Sequence, residues 1–246
     1  MALYCRKADR EKLEMQLEDD NITAAQISPE LVTGYKGIYN RVIKRGIDFI
    51  LALILFIITS PILLIISAMI VADTGFPVFY RADRGGYRQK NFKIFKFRTM
   101  IQNADKIGGG TTALNDSRIT KSGAFLRKTK LDEFANLISI LAGNMSFIGP
   151  RPELIRYTSQ YEGTERLIHE VRPGITDYSS IEFINLDEIV GGSNADEMYE
   201  KLVLPKKNKL RVKYAATVSF GTDCRLFFLT VGKVLEKVVK TVLQKG

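Results

Sequence analysis

From Phe49 to Val71 no charged side chain interrupts the chain. As a straight helix such a run would extend roughly 35 Å against a hydrocarbon core of about 30 Å, so a membrane helix is the first reading. A soluble core helix fits poorly, because few globular helices are apolar on every face for this length. In the middle sits Ser60-Pro61. Proline removes the hydrogen bond to the Ile57 carbonyl and crowds that turn, so a bend is expected. The Ser60 hydroxyl can return to a carbonyl one turn earlier and lower the cost in lipid. Arg41, Lys44 and Arg45 precede the run, and Arg81, Arg84, Arg88 and Lys90 follow it. Basic flanks prefer the cytoplasmic side, and each arm alone, roughly 16 to 18 Å, is too short to cross. The pattern favours a helix that enters the cytoplasmic leaflet, turns at Ser60-Pro61 and leaves on the same side. A kinked span is the alternative.

With 246 residues the chain has room for one well-buried domain plus appendages. Its formal charge of +9 favours an anionic partner: nucleic acid, anionic lipid or a phosphorylated substrate. The basic excess lies wholly beyond residue 40, since acidic side chains outnumber basic ones before it. No nucleic-acid fingerprint accompanies the charge, so a nucleic-acid partner is not expected. Two cysteines far apart, Cys5 and Cys224, argue against a disulfide framework and fit a reducing compartment. His169 is the only histidine, which leaves little material for a zinc site or a Ser-His scheme. A metal, if used, should be a hard cation on carboxylate and phosphate oxygens.

The leader is polar and charged, and nothing in it reads as a cleaved signal. Within it Asp9 to Leu17 predicts a helix and Gln26 to Tyr39 a linker. After the apolar run, Pro77 to Arg81 and Asn91 to Phe97 read as two strands around Gly85-Gly86. Strand alternation places Lys96 and Arg98 on one face, suited to a diphosphate, with Phe95 and Phe97 on the other. A solvated edge strand is the plainer reading. Near the C-terminus Phe227, Val231, Val234, Leu235, Val238 and Val242 recur at helical spacing among Lys233, Lys237, Lys240 and Lys245. This describes either an interfacial amphipathic helix or one packed on the core.

The most informative block runs from Asn115 to Glu153. Phe134, Leu137, Ile138 and Leu141 give the spacing of an amphipathic helix ended by Gly143-Asn144. Asp132 and Glu133 then lie in or just before its first turn, where backbone N–H groups favour carboxylates and a phosphate brought to them. The bland reading is a capping box, Thr129 to Asp132, in which Asp132 bonds the cap amide. Arg118, Arg127 and Arg151 surround the pair in sequence, and Gly149-Pro150-Arg151-Pro152 is a stiff turn that holds Arg151 extended. An arginine prearranged beside carboxylates suggests charge stabilisation in phosphoryl transfer.

The ordered motifs KFRTM, NDSRIT, FLRKTKLDE, GNMSFIGPRPE and VRPGIT, after a Ser-Pro-interrupted apolar segment, closely resemble the bacterial sugar transferase family, the monotopic phosphoglycosyl transferases. The resemblance covers residues 41 to about 177. It implies a two-step transfer of a sugar phosphate from a UDP-sugar to a polyprenyl (undecaprenyl) phosphate, with Asp132 as nucleophile and Mg²⁺ held by Glu133. It further implies phosphate binding by Arg127 and Arg151, supported by Lys96 and Arg98, with Arg118 a weaker assignment. The expected fold is α+β and helix-rich: an N-terminal extension or linker (1–40) that lies outside the resemblance, a re-entrant membrane helix with its basic flank (41–73), and a cytosolic catalytic domain (74–246). That domain holds a small β-hairpin and amphipathic interfacial helices, without a large doubly wound sheet. The implied location is the cytosolic face of the bacterial inner membrane. Two departures stand out: Phe134-Ala135 replaces a frequent Leu-Pro, and the run after Thr176 differs from the common pattern. The second leaves the donor sugar open, along with polyprenol length, pathway product and any homo-oligomer. A non-catalytic membrane scaffold binding lipid or a partner is the competing class.

Overall fold

The apolar run forms one unbroken helix. In the computed structural model, which describes residues 7–107, 116–184, 186 and 195–243, it belongs to α2, Lys44–Thr74. Helical backbone runs on through Ser60-Pro61, the position expected to bend. The Ser60 hydroxyl donates to the Ile57 carbonyl at 2.8 Å, and this is the carbonyl that Pro61, without an N–H, cannot reach. One face of α2 is buried at Ala52, Leu63, Ile66 and Ile70, while Ile54, Ile57, Ile58, Leu64 and Ile65 are exposed. Only 22% of its most apolar stretch is buried inside the protein, and it is long and apolar enough to cross a membrane.

Preceding it are α1 (Lys7–Glu18) and short turns at Ala24–Gln26, Pro29–Leu31 and Gly34–Lys36. The expected helix at Asp9 to Leu17 is present. The expected linker is instead a string of turns whose Ile27, Leu31 and Val32 are buried. Without a helical or strand period these residues read as loop, yet each enters the main core.

After α2 come β1 (Phe79–Arg84) and β2 (Phe92–Phe97), an antiparallel hairpin pairing Phe79 with Phe97 and Arg84 with Phe92. Then follow α3 (Ala104–Ile107), α4 (Lys121–Thr129), α5 (Asn136–Leu141), β3 (Ser146–Ile148), α6 (Ile155–Thr158), β4 (Gly174–Thr176) and α7 (Tyr178–Glu182). The chain ends in α8 (Ala195–Met198), α9 (Leu204–Thr217) and α10 (Phe220–Leu243). β3 and β4 pair in parallel, and only two-stranded sheets occur among the described residues.

Three packed regions place the site. Ala52 of α2 meets Phe92 and Ile94 of β2 and Leu137 and Ile140 of α5. Further along α2, Leu63, Ile66 and Ile70 meet Phe97, Leu126 and Ala135. The largest region joins Leu13, Ala24 and Val32 to Val212, Tyr214 and Ala215 of α9 and Leu226 of α10. The two ends of α2 bond to the same body: Asp48 accepts from the Phe147 N–H at 3.2 Å, and Asp73 accepts from the Ser122 N–H at 3.0 Å. On α10 Phe227, Phe228, Val231, Val234 and Leu235 are exposed, which departs from a helix wholly packed on the core. The side chains of Lys237, Val238, Lys240, Val242 and Lys245, like Cys5, Asn115 and residues 187–194, lie outside the described residues.

Candidate active site

The centre is built where α4 hands the chain to α5. Lys130 ends α4 in the left-handed region, φ 59°, and starts a tight 3₁₀ turn, Leu131–Ala135, that leads into α5. Asp132 and Glu133 therefore stand in the turn ahead of α5, as expected. The capping-box alternative does not form. Thr129 is the last residue of α4, and its hydroxyl donates back to the Phe125 carbonyl at 2.9 Å. The anticipated apolar face of α5 is shifted too: Leu137 is buried, but Ala135 and Ile140 fill the interior while Phe134 is exposed. The 3₁₀ turn, tighter than an α-turn, rotates Phe134 off that face.

The two carboxylates have opposite environments. Glu133 accepts a forked pair from Arg151, with Nη1 to Oε2 at 3.1 Å and Nη2 to Oε1, and Lys96 Nζ lies 3.4 Å from Oε1. Burial pushes the Glu133 carboxyl upward, but Arg151 and Lys96 overcome it and hold the group well below the usual range. In return Glu133 raises the Arg151 guanidinium, and burial lowers the Lys96 ammonium. Asp132 is 8% exposed, and its Oδ1 is buried with no hydrogen-bond partner. Burial raises its carboxyl above the ordinary value, and Lys96 is the strongest opposing influence, with Arg127 and Lys130 adding to it. One carboxylate is thus neutralised and fixed, while its neighbour keeps an oxygen that no protein group satisfies.

Of the residues expected at the site, Lys96 and Arg151 converge on Glu133, and Arg127 acts electrostatically on Asp132 while its Nε donates to Thr99 Oγ1 at 2.9 Å. Arg98 and Arg118 are placed elsewhere. Arg98, just beyond β2, donates to Thr74 Oγ1 and to the Gly75 carbonyl at 2.6 Å, where the C-terminus of α2 attracts a cation. Lys96 and Arg98 therefore do not form the joint diphosphate face that alternation suggested. Arg118 is forked onto Asp116, with Nη2 to Oδ2 at 2.6 Å, and donates to the Ala104 carbonyl at 2.9 Å. Its partner lies two residues away, and a short-range pair of this kind pins a loop.

The rest of the scaffold explains the remaining motifs. The end of α5 is held by Arg45 of α2, which donates to the Ile140 and Leu141 carbonyls at 2.6 and 2.9 Å. Arg172 donates to the Gly143 carbonyl at 3.2 Å and stacks on Tyr87. Gly149 and Gly174 touch backbone to backbone beside the β3–β4 pair, and a Cβ on either would overlap the facing chain. Behind Arg151, Glu153 is bound by Arg211 of α9 at 2.5 Å. Sequence reasoning took Arg45 only as a basic flank and missed Arg172, Glu153 and Arg211. For Arg211 the available signal was its i, i+4 spacing with Lys207, which a solvated basic helix shares.

A family model described as bacterial sugar transferase matches residues 39–237. The chain is 34% identical over 226 residues to the UDP-glucose:undecaprenyl-phosphate glucose-1-phosphate transferase of Escherichia coli (strain K12), covering 90% of this chain and 46% of that protein. It is 36% identical over 194 residues to the uncharacterized sugar transferase EpsL of Bacillus subtilis (strain 168), covering 79% and 88%. A UDP-N-acetylgalactosamine-undecaprenyl-phosphate N-acetylgalactosaminephosphotransferase of Aeromonas hydrophila is 34% identical over 142 residues, covering 56% and 34%. The chain thus spans about half the length, or less, of two of these relatives, and nearly all of the third.

Proposed function

The chain belongs to the bacterial sugar transferase family, and from that premise we propose that it moves a sugar 1-phosphate from a UDP-sugar to a polyprenyl phosphate such as undecaprenyl phosphate. The products are a polyprenyl-diphosphate sugar and UMP, a first step toward a surface polysaccharide or glycoconjugate. The observation that carries this reading is the carboxylate pair: Glu133 clamped by Arg151 and Lys96, and Asp132 with a buried, unpartnered oxygen.

In the proposed first step an Asp132 oxygen attacks the β-phosphorus, a bond from carboxylate to phosphorus forms, and the bridging P–O bond breaks with its electron pair leaving on UMP. In the second, a phosphate oxygen of the polyprenyl phosphate attacks the same phosphorus and the Asp132 carboxylate leaves. Burial raises the basicity of Asp132, and basicity favours attack once the carboxyl is ionised. Arg151, Lys96 and Arg127 offset the charge that would otherwise repel an anionic nucleophile from a diphosphate.

The donor set also fits Mg²⁺. Among the described residues no three carboxylate, histidine or cysteine side chains gather as a metal cage. Mg²⁺ asks for less, because it is commonly held by one or two carboxylates and completed by substrate phosphate and water. Glu133 Oε1 already receives two donors and Oε2 one, which leaves a lone pair on Oε2, and on the preceding residue Asp132 Oδ1 is unsatisfied. Bound there, the ion would neutralise diphosphate charge and stabilise the departing phosphate.

A one-sided membrane attachment is supported by the bonding of both ends of α2 to a single body and by the exposed apolar face between them. Were α2 a span, that body would have to cross the bilayer with it. Docking of both ends supports the re-entrant reading, which then takes its turn as a bend of the continuous helix at Ser60-Pro61, and the basic flanks favour the cytosolic face for the catalytic body.

The test is a panel of UDP-sugars assayed for UMP release with Mg²⁺ and polyprenyl phosphate. One donor should give turnover that Asp132→Asn abolishes. No UMP from any donor, with lipid binding intact, would favour the scaffold reading instead.

A further inference from the structure

Beyond assigning the chemistry, and resting on that assignment, we propose that Arg211, fully buried on α9, is a positioning residue that holds Arg151 in place through Glu153 and the rigid turn between them.

Glu153 Oε1 accepts from Arg211 Nη2 at 2.5 Å and from the Tyr199 hydroxyl. The other Arg211 nitrogen, Nη1, donates to Asn208 Oδ1 at 3.0 Å and reaches the Tyr161 hydroxyl at 3.4 Å. Lys207 Nζ lies 3.3 Å from the Tyr199 hydroxyl, and Asn208 donates to Glu165 Oε1 at 2.9 Å. The Arg211 side chain is 1% exposed, and its Nε finds no partner. Burying such a pair is not a way to gain stability, since apolar side chains of similar volume usually serve as well or better. The arrangement is therefore explained by what it aligns.

The turn between the two arginines transmits little slack. Pro150 and Pro152 fix φ on either side of Arg151 and bias it toward an extended backbone. The Glu153 carbonyl accepts from the Gly85 N–H at 3.1 Å, and the Gly149 N–H donates to the Thr176 carbonyl at 2.9 Å. Forward of the turn, Arg151 forks onto Glu133 and donates to the Ile175 carbonyl at 3.2 Å. Rearward of it, Glu153 is pinned to α9. That helix is itself held in the core, where Val212 and Ala215 pack with Leu13, Ala24 and Val32 of the N-terminal segment. Arg151 is thus held at its guanidinium by Glu133 at the reacting centre and, through the backbone of Pro152, by Glu153 fixed on the core.

The experiment uses the full chain in detergent or nanodiscs, with the donor found active in the panel and UMP release as readout. The paired variant Glu153→Met/Arg211→Met removes both charges together and should melt close to the parent. Its kcat should fall by about tenfold with little change in KM for the donor, the scale expected of a misplaced catalytic group. In an Arg151→Met background the same pair should cost less than about twofold more, because its effect runs through Arg151. Should the paired variant fail to fold, Arg211→Lys keeps the buried charge, loses the fork, and serves the same comparison. Full activity in the folded variant, or equal losses in both backgrounds, would overturn the inference. Unchanged activity in Arg151→Met alone would remove the catalytic reading itself, and the inference with it.

Discussion

Lys207 offers a quantitative check on the buried network. It is 6% exposed, and its ammonium lies 4.9 Å from the centre of the Tyr199 ring. Burial, aided by repulsion from Arg211 and resisted by Glu153, lowers its pKa from 10.5 to about 8. Between these values the folded chain binds fewer protons than the unfolded one, so stability rises with pH across that window. Below it, the charged amine costs the fold the whole amount. A displacement of this size corresponds to about 3 kcal/mol, or about 6–12 °C in midpoint for a chain of this length. The perturbation is Lys207→Met, and the assay is denaturant or thermal unfolding of parent and variant in detergent from about pH 7 to about pH 10.5. The difference between the two curves cancels the tyrosines and other groups that titrate in both. It should move in favour of the parent by about 3 kcal/mol as pH rises, because only the parent sheds the buried proton. Parallel curves across the range would mean that the amine is not desolvated as described.

Two further outcomes follow from the scaffold. Arg45→Gln removes the clamp on the Ile140 and Leu141 carbonyls, and should cost about 1–2 kcal/mol in denaturant unfolding and lower UMP release as the catalytic turn loosens. Gly174→Ala forces a methyl into the Gly149 backbone and should cost about 1–3 kcal/mol, read as a lowered thermal midpoint.

Much of the candidate site's geometry was legible because its members are close in sequence. Asp132 and Glu133 are adjacent, and the Pro-Arg-Pro turn announces a held arginine whatever it contacts. The long apolar helix was equally plain, and at Pro61 the Ser60 hydroxyl satisfies the carbonyl that the proline leaves open. What sequence concealed is long-range pairing. Arg98 and Lys96 alternate correctly along β2, yet Arg98 lies beyond the strand end and is captured by the carbonyl end of α2. Arg118 sits inside a motif but is spent on Asp116. Arg211 looks like any cation of a basic helix until α9 is packed against the turn that carries Glu153. The segment from Gln26 to Tyr39 has no period because its apolar residues are placed by turns, and only the core they fill shows why they are there.

Covalent capture on Asp132 is the most direct measurement of the central claim. Protein mixed with the active UDP-sugar and Mg²⁺, without lipid acceptor, should gain the mass of one sugar phosphate, mapped by peptide analysis to Asp132 and discharged when polyprenyl phosphate is added. Steady product formation with no adduct under quench, together with persistent turnover in Asp132→Asn, would contradict a nucleophilic aspartate.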